Sequence, residues 1–105
     1  MEQELIPYFI PHPGIVLKKE LVARHITQRR FAGMINMQPT MLNEIIKGKR
    51  SVSAEIAILL EKALEIDADF WLRFQSQYDL DIARQKLKTI QRLEQIEEKK
   101  QLAGK

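Results

Sequence analysis

Cysteine is absent from this 105-residue chain, so neither a disulfide bond nor thiolate chemistry is available to it. Its four glycines are scattered, which excludes a glycine-rich loop around a phosphate group. No apolar run approaches the roughly 18 residues that cross a bilayer. The first residues carry two glutamates and early prolines, unlike a secretory signal. These absences lead us to expect a cytoplasmic protein without a membrane segment.

Candidate catalytic and metal-ligating groups are also few. His12 lies between two prolines and His25 stands alone, and neither has an acid beside it at the spacing of metal ligands. Ser51 and Ser53 have no neighbouring base and are typical of turns and helix caps. The sequence therefore predicts no enzyme, no bound metal and no cofactor.

The charges are unevenly distributed, although the net charge is only +3. Residues 24–50 carry six basic side chains and one acid, a net charge of +5. Residues 51–82 carry two basic side chains and seven acids, a net charge of −5. A basic block beside an acidic block suggests one face for phosphate and another for a different partner. The alternative is a chance arrangement of solvated side chains.

Apolar residues recur at helical spacing, and no stretch alternates with period two for long enough to indicate a strand. We therefore predict an all-α protein with five helices. Residues 1–11 are expected to run extended because they contain Pro7 and Pro11. Residues 12–85 form the predicted domain, and residues 86–105 a charged, amphipathic helical tail.

The fifth helix is expected to continue into the tail, because neither glycine nor proline lies near the junction. A brief heptad-like 3-4-3 spacing is formed by Leu80, Ala83, Leu87 and Ile90. Two interpretations of the tail stay open: an amphipathic docking helix, or a frayed terminal helix in solvent.

Residues 27–50 have the pattern of two short helices joined by a tight turn. Thr27 is a good N-cap for the first, and Asn36 suits a turn residue with positive φ. Pro39 is placed at the first turn of the second helix, and Gly48 ends it. The inward side of that helix is formed by Leu42, Ile45 and Ile46. This pattern is typical of a helix-turn-helix DNA-binding motif.

In such a motif the second helix lies in the major groove with its early residues at the base edges. Amide and hydroxyl groups there read donor and acceptor patterns, and Asn43 is the candidate specificity residue because asparagine pairs with adenine. Basic residues after the helix are placed to contact phosphates, and the start of the preceding helix offers further polar groups. The predicted DNA-contact residues are Gln28, Arg29, Gln38, Pro39, Thr40, Asn43, Lys47, Lys49 and Arg50.

An aromatic group follows the basic motif. Phe70 and Phe74, one helical turn apart, are expected to fill the core. Trp71 and Tyr78 share another face of the same helix. A second apolar face on a small domain is commonly a dimer contact.

Three separated motifs, occurring in this order, resemble those of the HigA-type antitoxins of bacterial toxin–antitoxin modules. They are His12-Pro13-Gly14, Gly48-Lys49-Arg50, and Phe70-Trp71-Leu72 followed by Gln75 and Tyr78-Asp79-Leu80. The resemblance covers about residues 12–85. A generic repressor with the same motif usually shares only the middle one.

This resemblance implies a five-helix, lambda-repressor-like domain that forms a homodimer, with Trp71, Phe74 and Tyr78 near the dimer contact. It also implies a protein that binds operator DNA, represses its own operon and neutralises a cognate toxin, an mRNA endonuclease, by direct binding. Pro39 stands where the family often has a base-reading side chain, which leaves more of the readout to Thr40 and Asn43.

Two other functions are compatible with the residues. One is a stand-alone helix-turn-helix transcriptional regulator without a toxin partner. The other is a protein-interaction module that has kept the helix-turn-helix shape without binding DNA.

Overall fold

The computed structural model describes residues 11–104, which contain six α-helices. In chain order these are α1 (Pro13–Ala23), α2 (Gln28–Met34), α3 (Pro39–Ile46), α4 (Ala54–Leu64), α5 (Ala68–Gln85) and α6 (Leu87–Ala103). The described residues contain no strand, which confirms the all-α class. The arm predicted for residues 1–11 lies outside them except for Pro11.

The helix count is six rather than the predicted five, because the fifth helix ends at Gln85. Lys86 has φ −72° and ψ 131°, an extended conformation between α5 and α6. One residue in this conformation interrupts the hydrogen-bond ladder of an α-helix. No glycine or proline marks the position, so helical periodicity alone predicted one continuous helix.

The first five helices enclose one hydrophobic core. α1 packs against α3 and α5, α2 packs against α3, and α4 packs against α5. The inward face predicted for the third helix is confirmed, and the apolar residues at the same side of the second helix are buried as well. The buried residues of these two faces are Phe31, Ala32, Ile35, Leu42, Ile45 and Ile46.

Side-chain caps begin two of these helices where the sequence predicted them. Thr27 Oγ1 accepts a hydrogen bond from the Arg30 N–H at 3.1 Å and starts α2. Ser53 Oγ accepts from the Ile56 N–H at 3.2 Å and starts α4. Each cap satisfies one of the unpaired N–H groups at a helix start.

A residue with positive φ stands at or just after the end of each of the helices α1–α4. Asn36 has φ 55° and Gly48 has φ 78°, as expected for a tight turn and a helix stop. His25 and Glu65 also adopt positive φ, at 58° and 60°. These two turns were not predicted from the sequence.

Helix α6 projects from the body formed by α1–α5. It has no buried residue and packs mainly on α5. The chain extends over 60 × 37 × 23 Å with a radius of gyration of 18.3 Å, against about 13 Å for a compact chain of 100 residues. Among residues 11–104, every helix is too short or too polar to span a bilayer.

Candidate nucleic-acid interface

Helix α3 buries one side and exposes the other, as the apolar spacing predicted. Leu42 and Ile45 are fully buried. Thr40 and Lys47 are exposed on the opposite side, and Asn43 is half-buried between them. α3 therefore presents a hydroxyl, an amide and an ammonium group on one outward stripe.

The tight turn before α3 sets its direction relative to α2. The Met37 N–H donates to the Ala32 carbonyl at 2.8 Å, and Asn36 turns the chain with its positive φ. Pro39 opens α3, while the exposed N-cap residue Gln38 makes no side-chain capping hydrogen bond. The Gln38 amide therefore lies at the start of α3, available to a partner.

A hydrogen bond joins the two helices at this surface. Asn43 Nδ2 donates to Gln28 Oε1 at 3.2 Å, and both residues line a shallow groove with Arg29, Pro39 and Thr40. The pair leaves Asn43 Oδ1 as an acceptor and Gln28 Nε2 as a donor. Adenine presents the complementary N6 donor and N7 acceptor in the major groove. Five of the predicted contact residues thus border one concave surface suited to a base edge.

The basic side chains after α3 differ in their surroundings. Lys47 and Lys49 are exposed and form no ion pair within residues 11–104. Arg50 is held by Glu44, whose Oε1 lies 2.9 Å from Nε and 2.8 Å from Nη2. Two exposed ammonium groups and one paired guanidinium therefore flank the end of α3. Glu44 was not among the predicted interface residues.

His12 has a structural role that the sequence analysis did not predict. Its Nδ1 accepts a hydrogen bond from the Gly14 N–H at 2.9 Å and caps α1. Its ring is buried and meets Tyr78 edge-on, with the ring centroids 4.9 Å apart. Burial lowers the pKa of His12 below its ordinary value of 6.5, while Asp79 and the Arg50 backbone act in the opposite direction. His12 therefore links the start of α1 to α5.

Two glycines lie near this histidine. A Cβ on Gly14 would overlap the carbonyl oxygen of Ile45 in α3. Gly48 lies against the His12 ring, and a Cβ on Gly48 would be 3.6 Å from that ring. The first two resemblance motifs, separated by more than thirty residues, therefore meet at the end of α3.

The third motif fixes the loop that follows α3. The buried Gln75 side chain accepts a hydrogen bond from the Val52 N–H at 2.8 Å through Oε1. Its Nε2 donates to Asp79 Oδ1 at 3.0 Å. α5 thus holds both the His12 ring and the segment after Lys49 and Arg50. The three motifs together position the helix that carries the predicted base-reading residues.

The expected dimer face needs one correction, because Trp71 is fully buried within its own chain. Its Nε1 donates to the Ile66 carbonyl at 3.2 Å, so it belongs to the core and offers no surface to a second chain. The sequence spacing had placed Trp71 on a second apolar face of the helix, whereas it lies in the core. Phe74 is half-buried and lines an apolar groove, and Tyr78 is half-buried against His12.

Within the part of the chain that the structure describes, no three His, Cys, Asp or Glu residues are grouped so as to hold a metal ion. The polar groups that do converge are amides, hydroxyls and cations. These are groups that contact base edges and phosphates in protein–DNA complexes.

Comparison with known proteins places this arrangement in a family. The family model described as helix-turn-helix matches residues 17–71, more than half of the chain. Virulence-associated protein A' of Dichelobacter nodosus is 41% identical over 71 residues, which span 67% of this chain and 62% of that relative's length.

Two solved structures are similar over most of the fold. An addiction module antidote protein of the HigA family from Coxiella burnetii has a TM-score of 0.75 at 27% identity, covering 84% of this chain and 95% of that one. The antitoxin HigA of Pseudomonas aeruginosa, solved with the higBA promoter, has a TM-score of 0.67 at 32% identity, covering 70% and 80% respectively. By family match, identity and fold, the chain belongs to the helix-turn-helix family and, within it, to the HigA-type antitoxins, which are DNA-binding proteins and not enzymes.

Proposed function

We propose that this protein is an antitoxin that binds operator DNA as a homodimer, represses its own operon and neutralises a cognate mRNA-endonuclease toxin by direct binding. It acts in the cytoplasm, where its promoter lies. The observation that carries the DNA-binding part is the outward stripe of α3, with its amide pair between Asn43 and Gln28. A similar antitoxin, that of Pseudomonas aeruginosa, was solved with its promoter.

The interface divides binding between two groups of residues. Gln28, Gln38, Thr40 and Asn43 supply the amide and hydroxyl groups for the base edges. Arg29, Lys47, Lys49 and Arg50 lie at the edge of the same surface and neutralise phosphates, which releases counterions from the duplex. Pro39 shapes the start of α3. Base contacts provide specificity, and phosphate contacts provide most of the affinity.

The dimer is proposed to form on α5, around Phe74 and Tyr78. Phe74 borders an apolar groove with Phe70, Arg73 and Gln77, which a second copy would cover. Two copies related by a twofold axis would present two α3 helices about one helical turn of DNA apart. The operator would then be palindromic.

The toxin contact is proposed to lie away from the α2–α3 face. α6 has no buried residue, and several of its large apolar side chains are exposed. Exposed apolar surface of this kind is typical of a contact with another protein. The tail is thus interpreted as a docking helix rather than a frayed end.

The proposed function is tested with two measurements on the full chain. Fluorescence anisotropy compares binding to a duplex from its own promoter with binding to a scrambled duplex, over a salt series. We expect the promoter to bind at least about 10³-fold more tightly, with affinity falling steeply with salt. If both duplexes bind equally and without salt dependence, the DNA-binding functions are excluded. The protein-interaction module is then the function that remains.

The second measurement concerns the toxin. The product of the open reading frame next to this gene is expressed alone and together with this chain. We expect growth arrest alone, rescue on co-expression, and a complex that co-purifies. Promoter binding without rescue or complex would identify a stand-alone transcriptional regulator instead.

A further inference from the structure

We propose that Glu44 is a base-specificity residue, and that its free carboxylate oxygen accepts a hydrogen bond from the N4 amino group of a cytosine in the major groove. This inference rests on the proposed DNA-binding function. It assigns a role to an acid that stands among the cations of the interface.

The position of Glu44 on α3 supports this role. At about 100° per residue, Glu44 lies roughly 40° around the helix from Thr40 and 60° from Lys47. It thus lies at one edge of the outward stripe that carries the base-reading groups, on the opposite side of Thr40 from Asn43. Its side chain is 44% exposed, so it can reach a partner without rearrangement of the core.

Arg50 removes the electrostatic objection to an acid on this surface. A lone carboxylate would be repelled by the phosphates on both sides of the groove. Here Arg50 Nε donates a hydrogen bond to Glu44 Oε1 at 2.9 Å, and Arg50 Nη2 lies 2.8 Å from the same oxygen. The charge of Glu44 is thereby compensated within the protein.

The geometry of this pair also leaves one oxygen free. Both guanidinium contacts go to Oε1, and Oε2 has no hydrogen-bond partner among residues 11–104. The free oxygen is an acceptor, and cytosine offers it a donor, the N4 amino group, at its major-groove edge. Adenine also carries an amino group, but its N7 acceptor lies beside it and would face a carboxylate unfavourably.

The test uses a duplex library in which the central two helical turns, about 20 bp, are randomised. Wild-type protein and the Glu44→Gln variant each select from this library, and the bound duplexes are sequenced. An amide can donate to N7 and accept from N6, so it matches adenine. We expect Glu44→Gln to lose a cytosine preference of about tenfold at one position per half-site, with enrichment of adenine there.

The same variant is expected to change the salt dependence. Without the Glu44 carboxylate, the charge of the Arg50 guanidinium is no longer compensated within the protein and acts fully on the phosphates. The slope of log K against log salt would steepen by about 0.9 per copy of the chain. Binding to unselected duplexes would rise as well.

A matched control separates base readout from a general charge effect. Glu94→Gln makes the same change in charge on exposed α6, where Glu94 takes part in no ion pair of residues 11–104. We expect its selected sequences to equal those of the wild type.

Two results would overturn the proposal. One is an unaltered base profile for Glu44→Gln, and the other is the same altered profile for Glu94→Gln. In both cases the wild type would still select a defined sequence, so the proposed DNA binding would stand. Only a wild type that enriches no sequence would count against that function itself.

Discussion

His12 stands where the start of α1, the end of α3 and the middle of α5 meet. Its ring accepts from the Gly14 N–H and packs on Tyr78 and Gly48. A histidine in such surroundings acts in its neutral form, because protonation would remove the Nδ1 acceptor and place a charge in a buried site. The resemblance motif around His12 is thus explained by packing rather than by chemistry.

The stability of the protein is expected to depend on pH through His12. Because burial lowers the folded-state pKa below 6.5, the unfolded chain binds more protons than the folded chain as the pH falls below that value. The contribution of His12 to the free energy of unfolding is therefore largest above about pH 6.5 and declines as the pH falls through the folded-state pKa of this residue. Urea unfolding at a series of pH values measures this dependence.

His12→Asn provides the control for this measurement. Asparagine is a good N-cap but lacks the ring that packs on Tyr78, so the variant should be less stable at neutral pH. Because asparagine does not titrate, its stability should depend less on pH between about 5 and 7. A wild-type protein that gains stability as the pH falls through this window would contradict the assignment.

Gly14 and Gly33 form a matched pair for testing close packing. Gly14→Ala should lower the free energy of unfolding by about 1–3 kcal/mol or more, because the new Cβ overlaps the Ile45 carbonyl oxygen. Gly33 lies in α2 with no atom within 4 Å of a Cβ, so Gly33→Ala should raise it by about 0.5–1 kcal/mol. Urea unfolding measures both, and equal effects would contradict the packing argument.

Asn43 and Lys49 are expected to affect operator binding in different ways. Asn43→Ala removes an amide that meets Gln28 and a base edge, and should cost about 1–3 kcal/mol on the operator with relaxed preference at one position. Lys49→Ala should weaken binding to all sequences and reduce the salt slope by about 1. Anisotropy titrations on operator and scrambled duplexes distinguish the two. An unchanged preference in Asn43→Ala would contradict its role.

At the scale of elements, the segment from Thr27 to Gly48 was predictable because its signals are local. A hydroxyl N-cap, an asparagine at positive φ, a proline at a first turn and a terminal glycine each act within a few residues. Apolar spacing then fixed which side of α3 faces inward. The helical structure of this segment and the outward direction of the polar side of α3 followed from these features.

Other features of the elements depend on contacts distant in sequence. The burial of Trp71 and the link from Gln75 to Val52 follow from how α4 and α5 close on the core. The break at Lys86 carries no glycine or proline signal. The pairing of Glu44 with Arg50 requires the loop after α3 to turn back. Periodicity within one element contains none of this information.

Helix α6 is expected to contribute little to the stability of the body. It has no buried residue, so deletion of residues 87–105 should change the free energy of unfolding by no more than about 0.5 kcal/mol. Leu60→Ala, in the core of α4, should cost about 2–5 kcal/mol in the same urea experiment. A loss from the deletion that grows with protein concentration would instead place α6 in the dimer contact.

At the scale of the whole molecule, the basic and acidic blocks of the sequence fall on different elements. Five of the six basic residues of 24–50 belong to α2 or follow α3, while the acids of residues 51–82 belong to α4, α5 and their connection. A duplex approaching the α2–α3 surface therefore meets positive charge, and the negative charge of α4 and α5 disfavours binding in other orientations. In the proposed complex, this charge polarity would orient the protein before any base is read.

The proposed twofold assembly predicts how operator spacing controls affinity. Two α3 helices held by one dimer read half-sites on the same side of the duplex, with centres about 10–10.5 bp apart. Inserting about 5 bp between the half-sites rotates one of them by half a turn, to the opposite side. A rigid dimer then engages only one half-site, and the affinity should fall to that of a duplex with a single half-site. Anisotropy titrations with the native, expanded and single-site duplexes measure this directly. Equal affinity for the native and expanded operators would mean that each chain binds independently.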